Sequence, residues 1–180
     1  QEIAALGVDG IMLSNGPGDP ADNPEIIANL KERKKKPQAY ILSPTRELTM
    51  QIHEELKRIG KCTNLSIVSV FGGSDIERQI KDLKRGADIV VGTPGRLLDL
   101  IKRKALKLDH IETLILDEAD EMLNMGFLED IEAIISRVPE TRQTLLFSAT
   151  MPEAIKRIGV QFMKEPEHVK IAAKELTTDL

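Results

Sequence analysis

The sequence predicts an α/β domain: a mostly parallel sheet of about seven strands with helices on both faces. Three observations carry this reading. Short, nearly continuous apolar runs recur along the 180 residues, as in strands buried on both faces. Amphipathic stretches with a 3.6-residue period separate them, the alternation that gives parallel sheets. The segments with unusual residue combinations follow the apolar runs directly, and ligands of such sheets gather at the carboxyl ends of the strands.

The elements follow in order. GIMLS (10–14) reads as the first strand, SNGPGDP as a turn, and PEIIANLKERKKK as a helix that repeats Ile26, Ile27 and Leu30. AYILS (39–43) is the second strand. TRELTMQIHEELKRIG follows as a helix with Leu48, Ile52, Leu56 and Ile59 on one face. LSIVSVF (65–71) leads to DIERQIKDLKRG, with Ile76, Ile80 and Leu83 on one face. DIVVG (88–92) leads to GRLLDLIKRK, and TLILD (113–117) to an acid-rich stretch and FLEDIEAIISRV. TLLFS (144–148) leads to PEAIKRIGVQFM, and HVKIA (168–172) is the last strand. Several of these helices start at Pro or a capping residue and stop near Gly. The basic run at 31–38 reads as a solvated helix end or as a junction.

The bulk composition narrows the function classes. Hydrophobic residues make up 41% and charged residues 30%, enough for a core and a solvated surface. Aromatics are only 3% and Trp is absent, so Leu, Ile, Val, Ala and Met must build the core. A net charge of −4 argues against nucleic-acid binding driven by overall charge, but not against a local basic patch. Cys62 is the single cysteine, so no intrachain disulfide forms and a reducing cytosol is the expected setting. No apolar run reaches the roughly 20 residues of a membrane span, and the N-terminus QEIAALG lacks a signal-peptide pattern.

LILDEADEML (114–123) carries the strongest chemical signal. A buried strand delivers Asp117 and Glu118 to its carboxyl end. One carboxylate there can hold Mg²⁺ through water, and the next can orient or deprotonate a water for attack on a γ-phosphate. The plainer reading is an acid-rich helix start. SAT (148–150) follows the next strand; its hydroxyls can bond carboxylates of a neighbouring strand or simply cap a helix. PTREL (44–48) and TPGR (93–96) are both strand end, Pro turn and helix start with an Arg, and FGGSD (71–75) adds a glycine pair. Each alone is an ordinary turn; three on one sheet edge point to a single-stranded nucleic-acid track.

Residues 37–180 resemble the first RecA-like domain of a DEAD-box RNA helicase, through PTREL, GG, TPGR, DEAD and SAT in that family's order. The resemblance implies a RecA-like, P-loop-NTPase-like architecture. It implies that Asp117 binds Mg²⁺ when nucleotide is bound, that Glu118 is the catalytic carboxylate, and that Asp120 couples to Ser148 and Thr150. It also implies that Thr45, Arg46, Gly73, Thr93, Gly95 and Arg96 touch the RNA backbone.

The family's phosphate loop, A-x-x-G-x-G-K-T, and its adenine-reading glutamine motif are missing. No Gly-Lys-Thr or Gly-Lys-Ser occurs in the chain. The position after the first strand holds Asn15, Gly16, Pro17, Gly18 and Asp19, with Asp22 further on. Two carboxylates within about 5 Å of a triphosphate would each cost on the order of 1–3 kcal/mol. Residues 1–31, through LSNGPGDP, resemble instead the glutamine amidotransferase domain of the carbamoyl phosphate synthetase small subunit. The amidase chemistry does not carry over: it needs a Cys on a tight G-x-C-x-G turn, and Cys62 sits in KCTN.

The expectation is therefore a single 1–180 domain in which a foreign βα unit (1–36) replaces the first βα unit of the helicase domain (37–180). It reads as a chimera of laboratory origin that folds but hydrolyses neither ATP nor glutamine. Its vestigial carboxylates would bind no cofactor, its RNA affinity would be weak, and it would be a monomer or a dimer through poorly buried graft surface. The alternative is an ATP-dependent DEAD-box RNA helicase domain that uses Mg-ATP at a degenerate nucleotide site.

Overall fold

The computed structural model describes residues 10–14 and 38–170. Among the described residues, seven strands form one sheet: β1 (Gly10–Ser14), β2 (Gln38–Leu42), β3 (Ile67–Val70), β4 (Ile89–Gly92), β5 (Ile111–Leu116), β6 (Gln143–Ser148) and β7 (Glu167–Lys170). Their order is β3-β4-β2-β5-β6-β1-β7, and every pairing is parallel. Strands β2 to β6 carry the core and the site. The described helices are α1 (Arg46–Ile59), α2 (Ile76–Lys84), α3 (Pro94–Lys102), α4 (Ala119–Asn124), α5 (Leu128–Ile135) and α6 (Glu153–Phe162). The α/β class with a mostly parallel sheet and helices is thus the observed one.

Period-2 alternation sorts the strand residues onto two faces. Ala39, Ile41, Ile89 and Val91 face one side, where Ile52 and Leu56 of α1 pack on them. Tyr40, Leu42 and Val90 belong to the larger core. Leu97 and Leu100 of α3, Ile131, Ile134 and Ile135 of α5, and Ile155 and Ile158 of α6 join it there. Strand β4 is buried at all four residues, as its uninterrupted apolar sequence requires.

Helix starts follow local chemistry. Thr45 caps α1 by accepting the Leu48 N–H at 3.2 Å, and Asp75 caps α2 by accepting the Glu77 N–H at 2.9 Å. Pro94 opens α3, where its missing N–H costs nothing. Away from the site, buried Arg142 donates to the carbonyls of Val138, Pro139 and Phe162 and to Thr144 Oγ1. It ties the ends of α5 and α6 to the amino end of β6.

The segment expected to be foreign enters this sheet. Strand β1 pairs in parallel with β6 from Gly10↔Thr144 to Ser14↔Ser148, and with β7 on its other side. The turn Asn15–Asp19, Asp22 and the helix expected over 24–36 lie outside the described residues. No helix among the described residues is long and apolar enough to cross a membrane.

Candidate active site

Five strand ends build one continuous edge. Across the sheet the order β3-β4-β2-β5-β6 sets FGGSD, TPGR, PTREL, DEAD and SAT side by side, although the chain visits them in another order. Backbone bonds lace the edge one residue past the strands. Thr93 N donates to Val70 O (3.2 Å), Ser43 N to Gly92 O (3.1 Å) and Asp117 N to Leu42 O (2.9 Å).

Strand β5 delivers Asp117 and Glu118 to this edge. Glu118 N donates to Asp117 Oδ1 at 3.0 Å. Glu118 is exposed and left-handed, with φ 49° and ψ 51°. That conformation costs an L-residue about 1–2 kcal/mol, a strain that packing must hold. Burial pushes the Asp117 carboxyl up to about 6; the neighbouring Glu118 charge adds to the rise, and the Glu118 N–H opposes it. A hard cation beside Asp117 would reverse that sign. Among the described residues no three His, Cys, Asp or Glu side chains group closely enough to hold a metal.

Asp120 joins β5 to β6. Its Oδ2 accepts Thr150 N at 2.9 Å and Thr150 Oγ1 at 2.7 Å. Its own N–H donates to Ser148 Oγ at 3.3 Å, and Ser148 Oγ donates to Thr150 O at 2.7 Å. Desolvation would raise the Asp120 carboxyl, but these hydrogen bonds outweigh it and hold the pKa below its ordinary value. The expected link of Asp120 to Ser148 and Thr150 has this geometry.

The other half of the edge holds the loops expected to grip a phosphate backbone. Arg46 lies exposed at the start of α1, its guanidinium 5.1 Å from the centroid of the Phe71 ring. Thr45 is occupied as the cap of α1. Gly73 has φ +72° with open space around it, a conformation that favours glycine. A Cβ on Gly95 would meet Asp130 Oδ2 at 3.5 Å, ordinary contact. Thr93 is half-buried at the head of α3. Arg96 turns inward: its Nη1 donates to Gln79 Oε1 at 2.8 Å and to Ser74 O at 3.2 Å.

Sequence reasoning missed four residues here. Buried Gln79 accepts from Arg96 and donates to Phe71 O (3.1 Å) and Ser74 Oγ (2.7 Å), so it clamps the FGGSD loop to TPGR. The signal was present, because Gln79 falls on the apolar Ile76–Ile80–Leu83 face of α2. Phe71 underlies Arg46. Ser43 and Thr49, both fully buried, bond each other beneath PTREL.

A family model described as DEAD/DEAH box helicase matches residues 25–158. The DEAD-box ATP-dependent RNA helicase CshA of Streptococcus pneumoniae is 79% identical over 143 residues, covering 79% of this chain and 27% of that protein. The ATP-dependent RNA helicase CshA of Limosilactobacillus reuteri is 64% identical over 155 residues, covering 86% of this chain and 31% of that protein. The chain thus spans about a third or less of the length of these relatives. Among solved structures, a DEAD box protein from Methanococcus jannaschii aligns with TM-score 0.84 and 38% identity, over 93% of this chain and 46% of that one. A hypothetical ATP-dependent RNA helicase from Sulfolobus tokodaii aligns with TM-score 0.82 and 34% identity, over 94% of this chain and 50% of that one.

These findings correct the expectation of an engineered, inactive chimera. The family match begins at residue 25, inside the 1–36 segment taken as a graft. A 155-residue alignment cannot fit within the 144 residues of 37–180. The expectation of no cofactor falls with it, and the alternative, Mg-ATP, takes its place as a proposal.

Proposed function

This chain belongs to the DEAD/DEAH box helicase family, and from that premise we propose that it is part of an ATP-dependent RNA helicase. It carries the carboxylate side of a Mg-ATP site and a single-stranded RNA track on the same sheet edge. One observation carries the proposal. Asp117 and Glu118 follow β5 directly: Asp117 N–H donates to Leu42 O at the PTREL strand end, which Ser43 N–H ties in turn to Gly92 O before TPGR, and Asp120 bonds Ser148 and Thr150 on the other side.

The chemistry asked of these residues is modest. Mg²⁺, when bound, neutralises charge that builds on the transferring phosphoryl group. Asp117 would hold that ion, and its raised pKa marks a carboxylate that gains from a cation. Glu118, exposed and aimed by its left-handed backbone, would orient the attacking water and take its proton. Asp120 fixes where α4 begins relative to β6, so motion of the SAT turn reaches the DEAD turn through two bonds from Thr150.

On the RNA side, the exposed guanidinium of Arg46 on Phe71, the open Gly73 and the half-buried Thr93, Gly95 and Thr45 would meet the phosphate backbone. Arg96 would act mostly by holding its loop, since Nη1 and Nη2 donate to Gln79 and Ser74. The nucleotide site departs from the family pattern at its phosphate loop, for the chain has no Gly-Lys-Thr or Gly-Lys-Ser.

The test is phosphate release from Mg-ATP, with and without single-stranded RNA. Release that rises with RNA and vanishes with EDTA supports the proposal. RNA affinity that does not fall as salt rises would refute the phosphate-gripping track.

A further inference from the structure

We propose that Ser43 and Thr49 are positioning residues that set the PTREL loop for RNA through a one-way hydroxyl relay. This rests on the RNA track proposed above and assigns part of its rigidity to two side chains that touch no RNA. Both residues are fully buried, and their oxygens lie 2.7 Å apart. Thr49 Oγ1 also lies 2.8 Å from Thr45 O and donates its only hydrogen there. Ser43 must then be the donor of the shared bond, so the direction runs Ser43 to Thr49 to the Thr45 carbonyl.

Three constraints converge on the loop between them. Thr45 O accepts both Thr49 N–H (3.0 Å) and Thr49 Oγ1–H, and Thr45 Oγ1 accepts Leu48 N–H. The residue that carries Arg46 is thereby held at both flanks. At the other end of the relay, Ser43 N–H donates to Gly92 O, the last residue before TPGR. One serine thus fastens PTREL by its hydroxyl and TPGR by its amide.

A hydroxyl pair on the apolar faces of a strand end and a helix is an expensive way to fill space. Apolar groups of the same shape would serve packing alike, whereas one hydroxyl without the other leaves a buried polar group unpaired. The pair is therefore more than filler: a relay with a fixed direction holds one loop geometry where two methyl groups would allow several.

The test compares S43A, T49V, T49S and the double variant S43A/T49V in the full chain. Two readouts are taken: anisotropy of labelled oligo-uridine RNA at low salt, and amide hydrogen exchange. S43A, T49V and the double variant should each weaken RNA binding by about 3- to 10-fold, the equivalent of one displaced bond. T49S, which keeps the hydroxyl, should bind like the original. Exchange should accelerate at Ser43, Leu48 and Thr49 in the first three variants, while the last two turns of α1 keep their protection. Unchanged exchange at those amides overturns the relay whether or not RNA binds. Unchanged RNA affinity alongside faster exchange overturns its role in RNA positioning. Absence of RNA binding by the original chain refutes the track itself and not the relay.

Discussion

Replacing Gly92 by Ala tests the packing that aligns the RNA-side loops. A Cβ at Gly92 would stand 2.6 Å from Val70 Cγ2, 2.6 Å from Val70 O and 3.0 Å from Leu97 Cγ. Carbon pairs prefer roughly 3.5–4.0 Å. Rotation offers little relief, since Val is stiff at χ1. Val70 O is backbone and already accepts Thr93 N–H at 3.2 Å. The clash can ease only if β3 moves from β4, which stretches that bond and shifts the TPGR loop. Overpacking costs about 1–3 kcal/mol and the weakened bond about 1 kcal/mol. The sum, about 2–4 kcal/mol, corresponds to a Tm lower by roughly 5–15 °C for a domain of this size. Thermal unfolding followed by circular dichroism measures it. Gly72→Ala is the control, because its Cβ would meet nothing within 4 Å; it should stay within about 0.5 kcal/mol of the original. If Gly92→Ala and Gly72→Ala melt together, the argument from close approach is wrong.

Two further outcomes follow from the same geometry. Asp120→Ala removes both bonds to Thr150 and should cost about 1–2 kcal/mol at neutral pH. The Asp120 pKa is depressed in the folded state, so its contribution is present above the ordinary Asp value and is lost as pH falls through the folded value. Denaturation from pH 7 downward should show the variant's deficit constant to about pH 4 and shrinking below it. Arg142→Met leaves the carbonyls of Val138, Pro139 and Phe162 without their donor. It should lower the urea midpoint by about 1–3 kcal/mol equivalent with an unchanged m-value, while RNA affinity is preserved because Arg142 sits at the amino end of β6.

Much of this edge was legible in the sequence because each motif directly follows an apolar run. In a parallel sheet every such turn lands on the same side, so Asp117, Ser148, Thr45 and Thr93 had to share an edge. The order along it was not legible. Neighbouring β2 and β5 are separated in sequence by β3 and β4, and no local signal encodes that crossover. Arg96 is expected at the RNA backbone because nothing local to TPGR marks its inward partner, which lies 17 residues earlier; Gln79 on an apolar face was the missed clue. Ser43 and Thr49 escaped because small hydroxyls at strand and helix ends usually cap. The chimera reading leaned on residues 1–31 alone, where a missing lysine and a foreign-looking turn outweighed the similarity that extends back past residue 37.

The central claim is that the carboxylates ending β5 act on Mg-ATP. The most direct test is the rate of RNA-stimulated phosphate release by the original chain and by Glu118→Gln, which keeps size and removes the base. A fall of about 100-fold or more in the variant, with RNA affinity unchanged, is the predicted result. Equal rates in the two proteins, or no release that depends on both RNA and Mg²⁺ from the original, would contradict it.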